Sequence, residues 1–192
     1  MYVLLEGIDR VGKSTQIDML KSYFKDAVFT REPGGCGLCK KIRDIVLNRE
    51  DISPICEMFL FLADRNEHFE KVIKPNLDRL IISDRGFISA IAYAYVKTNL
   101  SIDRLFELNL IALEKKIPEK IVFFTISEDE LNKRMHIKKL DSIENRGVNY
   151  LLKVQEIMEK VIKKVSIPYI TIDASLEKEI INKKIVEFIK KV

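Results

Sequence analysis

The sequence has few of the residues that would divide it into domains or fix it in a membrane. Its 192 residues include seven glycines and five prolines, and no Pro/Gly/Ser-rich linker interrupts them, so we expect a single domain over residues 1–192. The longest apolar runs, such as 59–63 and 121–126, are far shorter than the ~20 residues that cross a bilayer. The N-terminus also lacks the pattern of a signal peptide. We therefore expect a cytoplasmic protein with no membrane partner.

Cysteine is scarce as well. The cysteines are Cys36, Cys39 and Cys56, and an odd number in a chain of this size argues against a disulfide framework. Cys36 and Cys39 form a CxxC motif, which is compatible with half of a zinc site or with a redox pair. The sequence has no second CxxC and no HxxxH to complete a tetrahedral site. We expect incidental thiols in a reducing compartment.

The charge balance favours small ligands. The net charge is only +4, and hydrophobic and charged residues make up 47% and 32% of the chain. Such a composition can bury a core, which excludes a disordered chain. The small positive excess suits small anionic ligands, and we predict no nucleic-acid partner.

Short apolar, β-branched runs alternate with longer stretches of helical period. This alternation predicts a three-layer α/β/α fold, in which a five-stranded parallel sheet is covered by helices on both faces. The predicted strands are Tyr2–Leu5, Ala27–Phe29, Leu80–Ser83, Ile121–Ile126 and Tyr169–Ile172. The predicted helices span 13–25, 38–48, 54–74, 87–97, 102–115, 128–136, 148–164 and 176–190. The charged, irregular segment 137–147 is either a solvated connection or a lid that closes over a nucleotide, and we predict the lid.

The strongest motif is GxxxxGKS over residues 7–14, placed directly after a strand and directly before a helix. Its glycines let backbone N–H groups converge on phosphate oxygens, and the next helix presents its positive end to the same anion. We expect Lys13 to reach the β- and γ-phosphates of a nucleotide, and the Ser14 hydroxyl to help hold Mg²⁺. The predicted nucleotide-binding residues are Gly7, Ile8, Asp9, Arg10, Val11, Gly12, Lys13, Ser14 and Thr15.

Asp84 and Arg85 directly follow the apolar run 80–83. Ligands bind at the carboxyl ends of parallel strands, so we expect Asp84 to serve Mg²⁺ and Arg85 to neutralise a transferring phosphoryl group. The alternative is a surface ion pair.

Two pairs of residues at helical spacing offer contacts for a second nucleotide. Phe61 and Arg65 are four residues apart, so a helix would place an aromatic plane and a guanidinium group on one face. Ser89 and Tyr93 repeat this spacing after Arg85. Taken alone, Phe61 is more typical of a core residue.

Together these motifs resemble the thymidylate kinase family over most of the chain. The family's motifs occur in order as Glu6-Gly7 with Asp9 and Lys13-Ser14-Thr15-Gln16, Thr30-Arg31-Glu32-Pro33-Gly34-Gly35, Ile42-Arg43, Phe61-Leu62-Ala63-Asp64-Arg65-Asn66-Glu67-His68, and Asp84-Arg85 with Ser89 and Ala92-Tyr93. The resemblance implies an enzyme that moves the γ-phosphoryl group of ATP onto dTMP to make dTDP. It also implies Mg²⁺ as cofactor and a homodimer.

The resemblance further implies roles for single residues. Asp9 would bind the 3′-hydroxyl of dTMP, Phe61 would stack on thymine, and Tyr93 would lie under the deoxyribose. Arg65 and Arg85 would hold the dTMP phosphate. The implied substrate-binding residues are Asp9, Arg31, Glu32, Phe61, Arg65, Arg85, Ser89 and Tyr93, and the implied catalytic residues are Arg10, Lys13, Arg85 and Asp9.

Members of the family take a catalytic arginine either from the P-loop or from the lid. Arg10 occupies the P-loop position, while residues 141–144 read Asp-Ser-Ile-Glu and lack the lid arginine, which resembles the eukaryotic-type arrangement. Ala90 stands where some members place a polar group that recognises the thymine edge, so acceptance of dUMP is a further expectation.

Two other functions remain as alternatives. One is another nucleoside monophosphate kinase or deoxynucleoside kinase with the same loop. The other is a P-loop regulatory ATPase, which predicts hydrolysis to bulk water and gives no reason for Phe61, Arg65 and Tyr93 to surround a second ligand.

Overall fold

The computed structural model describes residues 1–48, 51–135 and 147–191. Five strands form one parallel sheet in the order β2-β3-β1-β4-β5. They are β1 (Tyr2–Glu6), β2 (Val28–Arg31), β3 (Ile81–Asp84), β4 (Lys120–Thr125) and β5 (Tyr169–Asp173). The helices between and after them are α1 (Lys13–Tyr23), α2 (Gly37–Asn48), α3 (Pro54–His68), α4 (Phe87–Lys97), α5 (Ile102–Ala112), α6 (Glu128–Met135), α7 (Val148–Val165) and α8 (Lys178–Lys190). The predicted α/β fold with a five-stranded parallel sheet is confirmed.

The central strands are apolar because other elements cover them on both sides. Every residue of β1 is buried, as are residues 121–124 of β4 and Ile81 and Ile82 of β3. Burial of both faces is the usual condition of strands in a parallel sheet. In the described ranges, no helix is both long enough and apolar enough to cross a membrane.

The boundaries differ most from the predictions at β2 and α3. β2 was predicted as Ala27–Phe29 but continues through Thr30 and Arg31, because these residues pair with Ser83 and Asp84 of β3. Strand pairing therefore extends β2 beyond its apolar run. Helix α3 was predicted to reach residue 74 but ends at His68, where a π-helical turn (Phe69–Ile73) and a 3₁₀ turn (Lys74–Asn76) follow.

The parallel sheet brings the motif-bearing segments to one edge. The glycine-rich loop follows β1, residues 32–35 follow β2, and Asp84 ends β3. Because β1, β2 and β3 are neighbours in the sheet, the three segments lie side by side. The predicted lid, 137–147, lies outside the described residues except for Gly147.

Candidate active site

The loop between β1 and α1 has the backbone that an anion cradle needs. Gly7 and Gly12 have φ angles of 150° and 88°, which favour glycine, and a Cβ atom at Gly7 would lie 2.8 Å from the carbonyl oxygen of Phe124. Gly12 is the N-cap of α1, so the positive end of this helix faces the loop. Ile8 and Val11 are buried and fix the loop to the core.

Lys13 is buried beneath this loop. Its Nζ donates hydrogen bonds to the carbonyl oxygens of Gly7 and Ile8, at 2.9 and 2.8 Å. Burial, assisted by the nearby charge of Arg85, lowers the pKa of Lys13 to about 8. The ammonium group is thus fixed at the loop without a hydrogen-bonded carboxylate among the described residues.

We call the space over this loop the loop cavity. It is lined by residues of the glycine-rich loop and by charged residues at and after the ends of β2 and β3. Its lining residues are Asp9, Arg10, Gly12, Lys13, Ser14, Thr15, Arg31, Glu32, Arg43, Asp84 and Arg85. The sequence predicted most of these residues to bind nucleotide, acceptor or metal, and the fold brings them together.

A second space, the aromatic cavity, adjoins the loop cavity. Phe61 of α3 and Tyr93 of α4 contribute its rings. Its full lining is Asp9, Glu32, Pro33, Arg43, Leu47, Phe61, Arg65, Arg85, Gly86, Ser89, Ala90 and Tyr93. Four residues, namely Asp9, Glu32, Arg43 and Arg85, line both cavities, so this group marks their junction.

Asp9 and Arg85 form an ion pair at the junction. Arg85 Nη2 donates to Asp9 Oδ1 at 2.6 Å, and the Tyr93 hydroxyl donates to Asp9 Oδ2 at 3.2 Å. Burial by itself raises the pKa of Asp9, but the charges of Arg85 and Lys13 outweigh it and hold the pKa below its usual value. Asp9 is therefore an ionised acceptor beside the rings.

The Arg85 side chain is fixed by further contacts. Its Nη1 donates to the carbonyl oxygen of Gly7 at 2.7 Å and to the Ser89 hydroxyl at 3.1 Å, while Ser89 itself donates to the buried carboxylate of Glu6. Burial raises the pKa of Glu6. Arg10 and Arg85 both have a φ of 69°, a left-handed conformation that costs non-glycine residues on the order of 1 kcal/mol or more. Such strain is typical of functional sites.

A buried polar network lies behind the aromatic cavity. Arg65 Nη2 donates to Glu32 Oε2 at 2.5 Å, and the other Glu32 oxygen lies 2.8 Å from His68 Nδ1. The second His68 nitrogen, Nε2, is 2.6 Å from the Thr30 hydroxyl. Burial raises the pKa of Glu32, but the Arg65 charge and the His68 contact lower it more strongly. These contacts hold Glu32 ionised and fix Arg65 against the wall of the cavity.

Asn109 completes this network from α5. Its Oδ1 accepts from Arg65 Nη1 at 2.5 Å, and its Nδ2 donates to the Leu105 carbonyl at 2.7 Å. Sequence reasoning assigned no role to Asn109. The available signal was its position on the buried stripe of α5 with Leu105 and Ala112, because a polar residue on such a stripe needs a partner.

Arg43 is the second residue that sequence reasoning left without a role, although its Ile-Arg motif was noted. It extends from α2, and its Nη1 donates to the Pro33 carbonyl at 3.0 Å. Burial, followed by the charges of Arg31 and Arg85, lowers the pKa of Arg43. Like charges therefore converge on the junction, and a bound anion would relieve their repulsion.

Ser14 and Asp84 bring a hydroxyl and a carboxylate close together at the edge of the loop cavity. The Ser14 hydroxyl is 3.5 Å from Asp84 Oδ2. Asp84 Oδ1 is buried and has no hydrogen-bond partner among the described residues. Hydroxyl and carboxylate oxygens are the hard ligands that Mg²⁺ prefers, so these residues fit the predicted metal.

Arg10 lines the loop cavity but extends towards α6. Its Nη1 donates to the Arg134 carbonyl at 3.3 Å, and Arg134 Nη1 donates back to the Arg10 carbonyl at 3.0 Å. Helix α6 precedes the segment predicted as a lid, so the Arg10 loop contacts the helix that comes before that segment. Arg31 and Thr15 are exposed at the edge of the same cavity.

The cysteines require a correction. Cys36 and Cys39 are joined by a disulfide, whereas Cys56 is a free, exposed thiol. The expectation of incidental thiols was wrong for the first two, because Cys36 directly precedes α2 and Cys39 lies in its first turn. One turn of helix brings their sulfur atoms together.

Comparisons with known proteins agree on one family. A sequence model described as thymidylate kinase matches residues 5–185. A thymidylate kinase from Campylobacter jejuni subsp. doylei is 50% identical, covering 99% of this chain and 100% of the relative. One from Aliarcobacter butzleri is 50% identical over 98% of each chain. The crystal structure of thymidylate kinase from Ehrlichia chaffeensis superposes with a TM-score of 0.80 at 24% identity, over 99% of this chain and 98% of that one, a likeness of fold.

Proposed function

The chain belongs to the thymidylate kinase family, and we propose that it aligns its two substrates at the junction formed by Asp9, Glu32, Arg43 and Arg85. It phosphorylates dTMP to dTDP, with ATP as the phosphoryl donor. The observation that carries the proposed alignment is that these four residues line both cavities. An anion in the loop cavity and an anion at the mouth of the aromatic cavity would meet there.

The dTMP phosphate lies at the junction in this proposal, between Arg43 and Arg85. Both residues line both cavities, and the repulsion between their charges favours an anion between them. Arg65 lines the aromatic cavity but not the loop cavity, and both of its terminal nitrogens are engaged by Glu32 and Asn109. The prediction that Arg65 grips the phosphate stays a prediction, and the geometry favours Arg43 in that role.

The nucleoside part of dTMP occupies the aromatic cavity. Phe61 would stack on thymine, and Asp9, whose carboxylate is ionised beside Tyr93, would accept a hydrogen bond from the 3′-hydroxyl. Tyr93 would lie against the deoxyribose. Arg65 is held rigidly by Glu32 on the cavity wall, where it would face the base rather than the phosphate.

ATP binds with its phosphates in the loop cavity. The backbone of the glycine-rich loop and the N-terminus of α1 would bind the phosphate oxygens, and Lys13 would exchange its contacts to loop carbonyls for contacts to the β- and γ-phosphates. Ser14 and Asp84 would hold Mg²⁺, which supplies positive charge to the phosphates when bound. Arg31, at the edge of the cavity, would add to the positive field.

The reaction is a direct in-line transfer. An oxygen of the dTMP phosphate forms the new bond to the γ-phosphorus, and the bond from that phosphorus to the bridging oxygen of ADP breaks. The nucleophile is already an anion, so no general base is needed, and the site acts by alignment and charge neutralisation. We assign the neutralisation of the transferring group to Arg10, which lines the loop cavity.

A second copy of the chain is the expected partner. Large apolar side chains are exposed on three neighbouring helices, with Phe59 of α3 at 56% exposure, Tyr95 of α4 at 37% and Ile111 of α5 at 73%. Exposed apolar side chains of this size are the kind that a protein interface covers. Sedimentation of the wild type as a dimer and of Phe59→Asp as a monomer would support a homodimer, and a monomeric wild type would exclude it. The cytoplasmic location stays a prediction.

A coupled assay for dTDP formation tests the substrate assignment. ATP and Mg²⁺ are supplied with dTMP, dUMP, dCMP, UMP or thymidine, and we expect the highest kcat/KM with dTMP. Preference for another acceptor would assign a different nucleoside kinase. ADP release at the same rate without any acceptor would instead indicate a regulatory ATPase.

A further inference from the structure

We propose that Cys36 and Cys39 form a reversible thiol–disulfide exchange site, in which an external dithiol attacks Cys36. The state of this site sets the affinity of the aromatic cavity for a nucleoside monophosphate. The second statement rests on the proposed function, whereas the first does not. The CxxC motif has no part in the phosphoryl transfer described above.

The two cysteines differ in exposure. Cys36 is half-buried and is followed by the exposed residues Gly37 and Leu38, while Cys39 is fully buried. An incoming thiolate must align with the disulfide and reach one of its sulfur atoms. Only Cys36 is open to that approach.

After reduction, the sulfur atoms of Cys36 and Cys39 would each have a hydrogen-bond partner at hand. The backbone N–H of Cys39 lies 3.2 Å from Cys36 Sγ, so a thiolate at Cys36 would accept this bond at the N-terminus of α2, where negative charge is favoured. Cys39 Sγ lies 3.5 Å from the Asp64 carbonyl oxygen. It carries no proton in the disulfide, but as a thiol it could donate to that oxygen. The dithiol form therefore buries no unpaired group.

The exchange is balanced by the dithiol reagent. One thiolate of the reagent bonds to Cys36 Sγ, the bond between the two cysteine sulfurs breaks, and Cys39 leaves as a thiolate that takes up a proton. The second thiol of the reagent then attacks the mixed disulfide and releases Cys36. The protein disulfide is reduced by two electrons, and the reagent is oxidised to its own disulfide.

The disulfide contributes little to holding the chain together. It joins residues only three apart in sequence, and the stabilisation that a crosslink gives through the unfolded chain is smallest for the shortest loops. The same two residues are already connected by the first turn of α2. Reduction is thus expected to leave the protein folded.

The exchange site is nonetheless connected to the junction of the two cavities. Arg43 lies one helical turn after Cys39 on α2 and donates to the Pro33 carbonyl. Asp64, whose carbonyl contacts Cys39, accepts a hydrogen bond from the Gly34 N–H through its carboxylate at 2.9 Å. Opening the disulfide releases Cys36, which directly follows the 32–35 loop, from its covalent bond to the first turn of α2. The loop then has more freedom relative to α2, which reduces the preorganisation of Arg43.

The first experiment measures exchange without using activity. A Cys56→Ser variant, in which only the CxxC pair carries sulfur that can be labelled, is equilibrated in mixtures of reduced and oxidised dithiothreitol. Each sample is quenched with acid, then unfolded at neutral pH in the presence of a maleimide, so that the buried Cys39 can also react. We expect a reversible change from no labelled thiol to two per chain. Two labelled thiols in every mixture, including one with only oxidised reagent, would overturn the exchange site.

Two single variants test which sulfur exchanges. Both are built on Cys56→Ser and treated with oxidised glutathione, and mass spectrometry measures the added glutathione. Cys39→Ser, which leaves Cys36, should be modified at least ~10-fold faster than Cys36→Ser, which leaves the buried Cys39. Serine at position 36 can still cap α2, so this control should fold as the wild type does. Equal rates in two folded variants would overturn the assignment to Cys36.

Calorimetry of dTMP binding tests the effect on the aromatic cavity. We expect the Kd for dTMP to be about 5-fold higher in the dithiol form than in the disulfide form, at the low end of couplings between linked sites. Cys36→Ser should give the weaker value in either reagent. Equal Kd values in both forms would overturn the coupling. Absence of dTMP binding in both would overturn the proposed function instead, because the labelling result stands apart from it.

Discussion

The loop cavity and the aromatic cavity both carry positive charge, but they balance it differently. Lys13 donates only to loop carbonyls in the part of the chain that the structure describes, and burial lowers its pKa to about 8. In the aromatic cavity, Arg65 is paired with Glu32 and Arg85 with Asp9. Lys13 therefore takes its hydrogen-bonded counter-charge from the ligand, while Arg65 and Arg85 already have carboxylate partners.

This difference separates affinity from selectivity. A cation that donates only to backbone carbonyls in a phosphate cradle attracts any nucleotide phosphate, and it makes few demands on the rest of the ligand. Paired arginines attract an anion less strongly, but their carboxylate partners hold them in fixed orientations against a nucleoside. The comparison predicts that substitutions in the loop cavity change kcat and the KM for ATP. Substitutions in the buried polar network of Arg65 and Glu32 should instead change the KM for dTMP.

The largest effect is expected for Arg10→Ala. If Arg10 neutralises the transferring phosphoryl group, kcat falls by about 10³-fold or more, as for arginine fingers, while the KM for dTMP changes by less than about 3-fold. Steady-state kinetics measure both. Arg104→Ala, which removes a largely exposed arginine of α5, is the matched control and should retain full activity. A variant of Arg10 that loses only substrate affinity would contradict this role.

Asp9→Asn tests the residue shared by both cavities. The kcat/KM for dTMP should fall about 100-fold, on the order of 3 kcal/mol, because Arg85 loses its counter-charge in a partly buried site. Tyr93→Phe removes only the second hydrogen bond to Asp9 and should cost much less. Equal losses in the two variants would mean that the tyrosine, rather than the ion pair, organises the junction.

Asn109→Leu removes a network partner without touching either cavity wall. Leaving Arg65 Nη1 buried and unpaired should lower the free energy of unfolding by ~1–3 kcal/mol and raise the KM for dTMP by about 10-fold. The KM for ATP should stay unchanged. Asn109→Asp keeps the oxygen that accepts from Arg65 and should have a smaller effect on both quantities. A matching rise in the KM for ATP would contradict the proposal that the two cavities bind different substrates independently.

The smallest effect is a pH dependence confined to the loop cavity. The ammonium form of Lys13, which binds phosphate, is present below a pKa of about 8 and is lost above it. The kcat/KM for ATP should therefore drop by a factor of about two at pH 8 and about tenfold per unit beyond, since this quantity reports the free enzyme. The kcat should fall only at higher pH, because the negative charge of bound phosphates raises the pKa of Lys13 in the complex. Lys13→Arg, which does not titrate in this range, should show no such fall.

The two cavities also differ in how far the sequence predicted them. Six of the eleven residues that line the loop cavity come from the consecutive segment 7–15, so the motif identified the centre of this cavity. The aromatic cavity draws on residues after β2, on α2, on α3 and on α4, and its motifs were identified without the contacts between them. Arg43 and Asn109 therefore received no role, because their importance depends on which elements face each other.

The boundaries of strands and helices show the same limit of prediction from sequence. Hydrophobic pattern located all five strands, but it ended β2 at Phe29, whereas pairing with β3 carries the strand to Arg31. The hydrophobic pattern likewise gave no sign that Cys36 and Cys39 would be joined, although the CxxC spacing is visible in the sequence. Their contact follows from the position at which α2 begins.

The sequence by itself determined the parallel α/β sheet, the phosphate-binding loop and the family. Those features depend on alternation of apolar runs and on glycines and charges that lie close together along the chain. The tertiary structure alone decided which charges are paired, which arginines meet at the junction, and which cysteine is accessible. These properties depend on distances and burial between residues far apart in sequence, such as Arg65 and Asn109, and packing sets those distances.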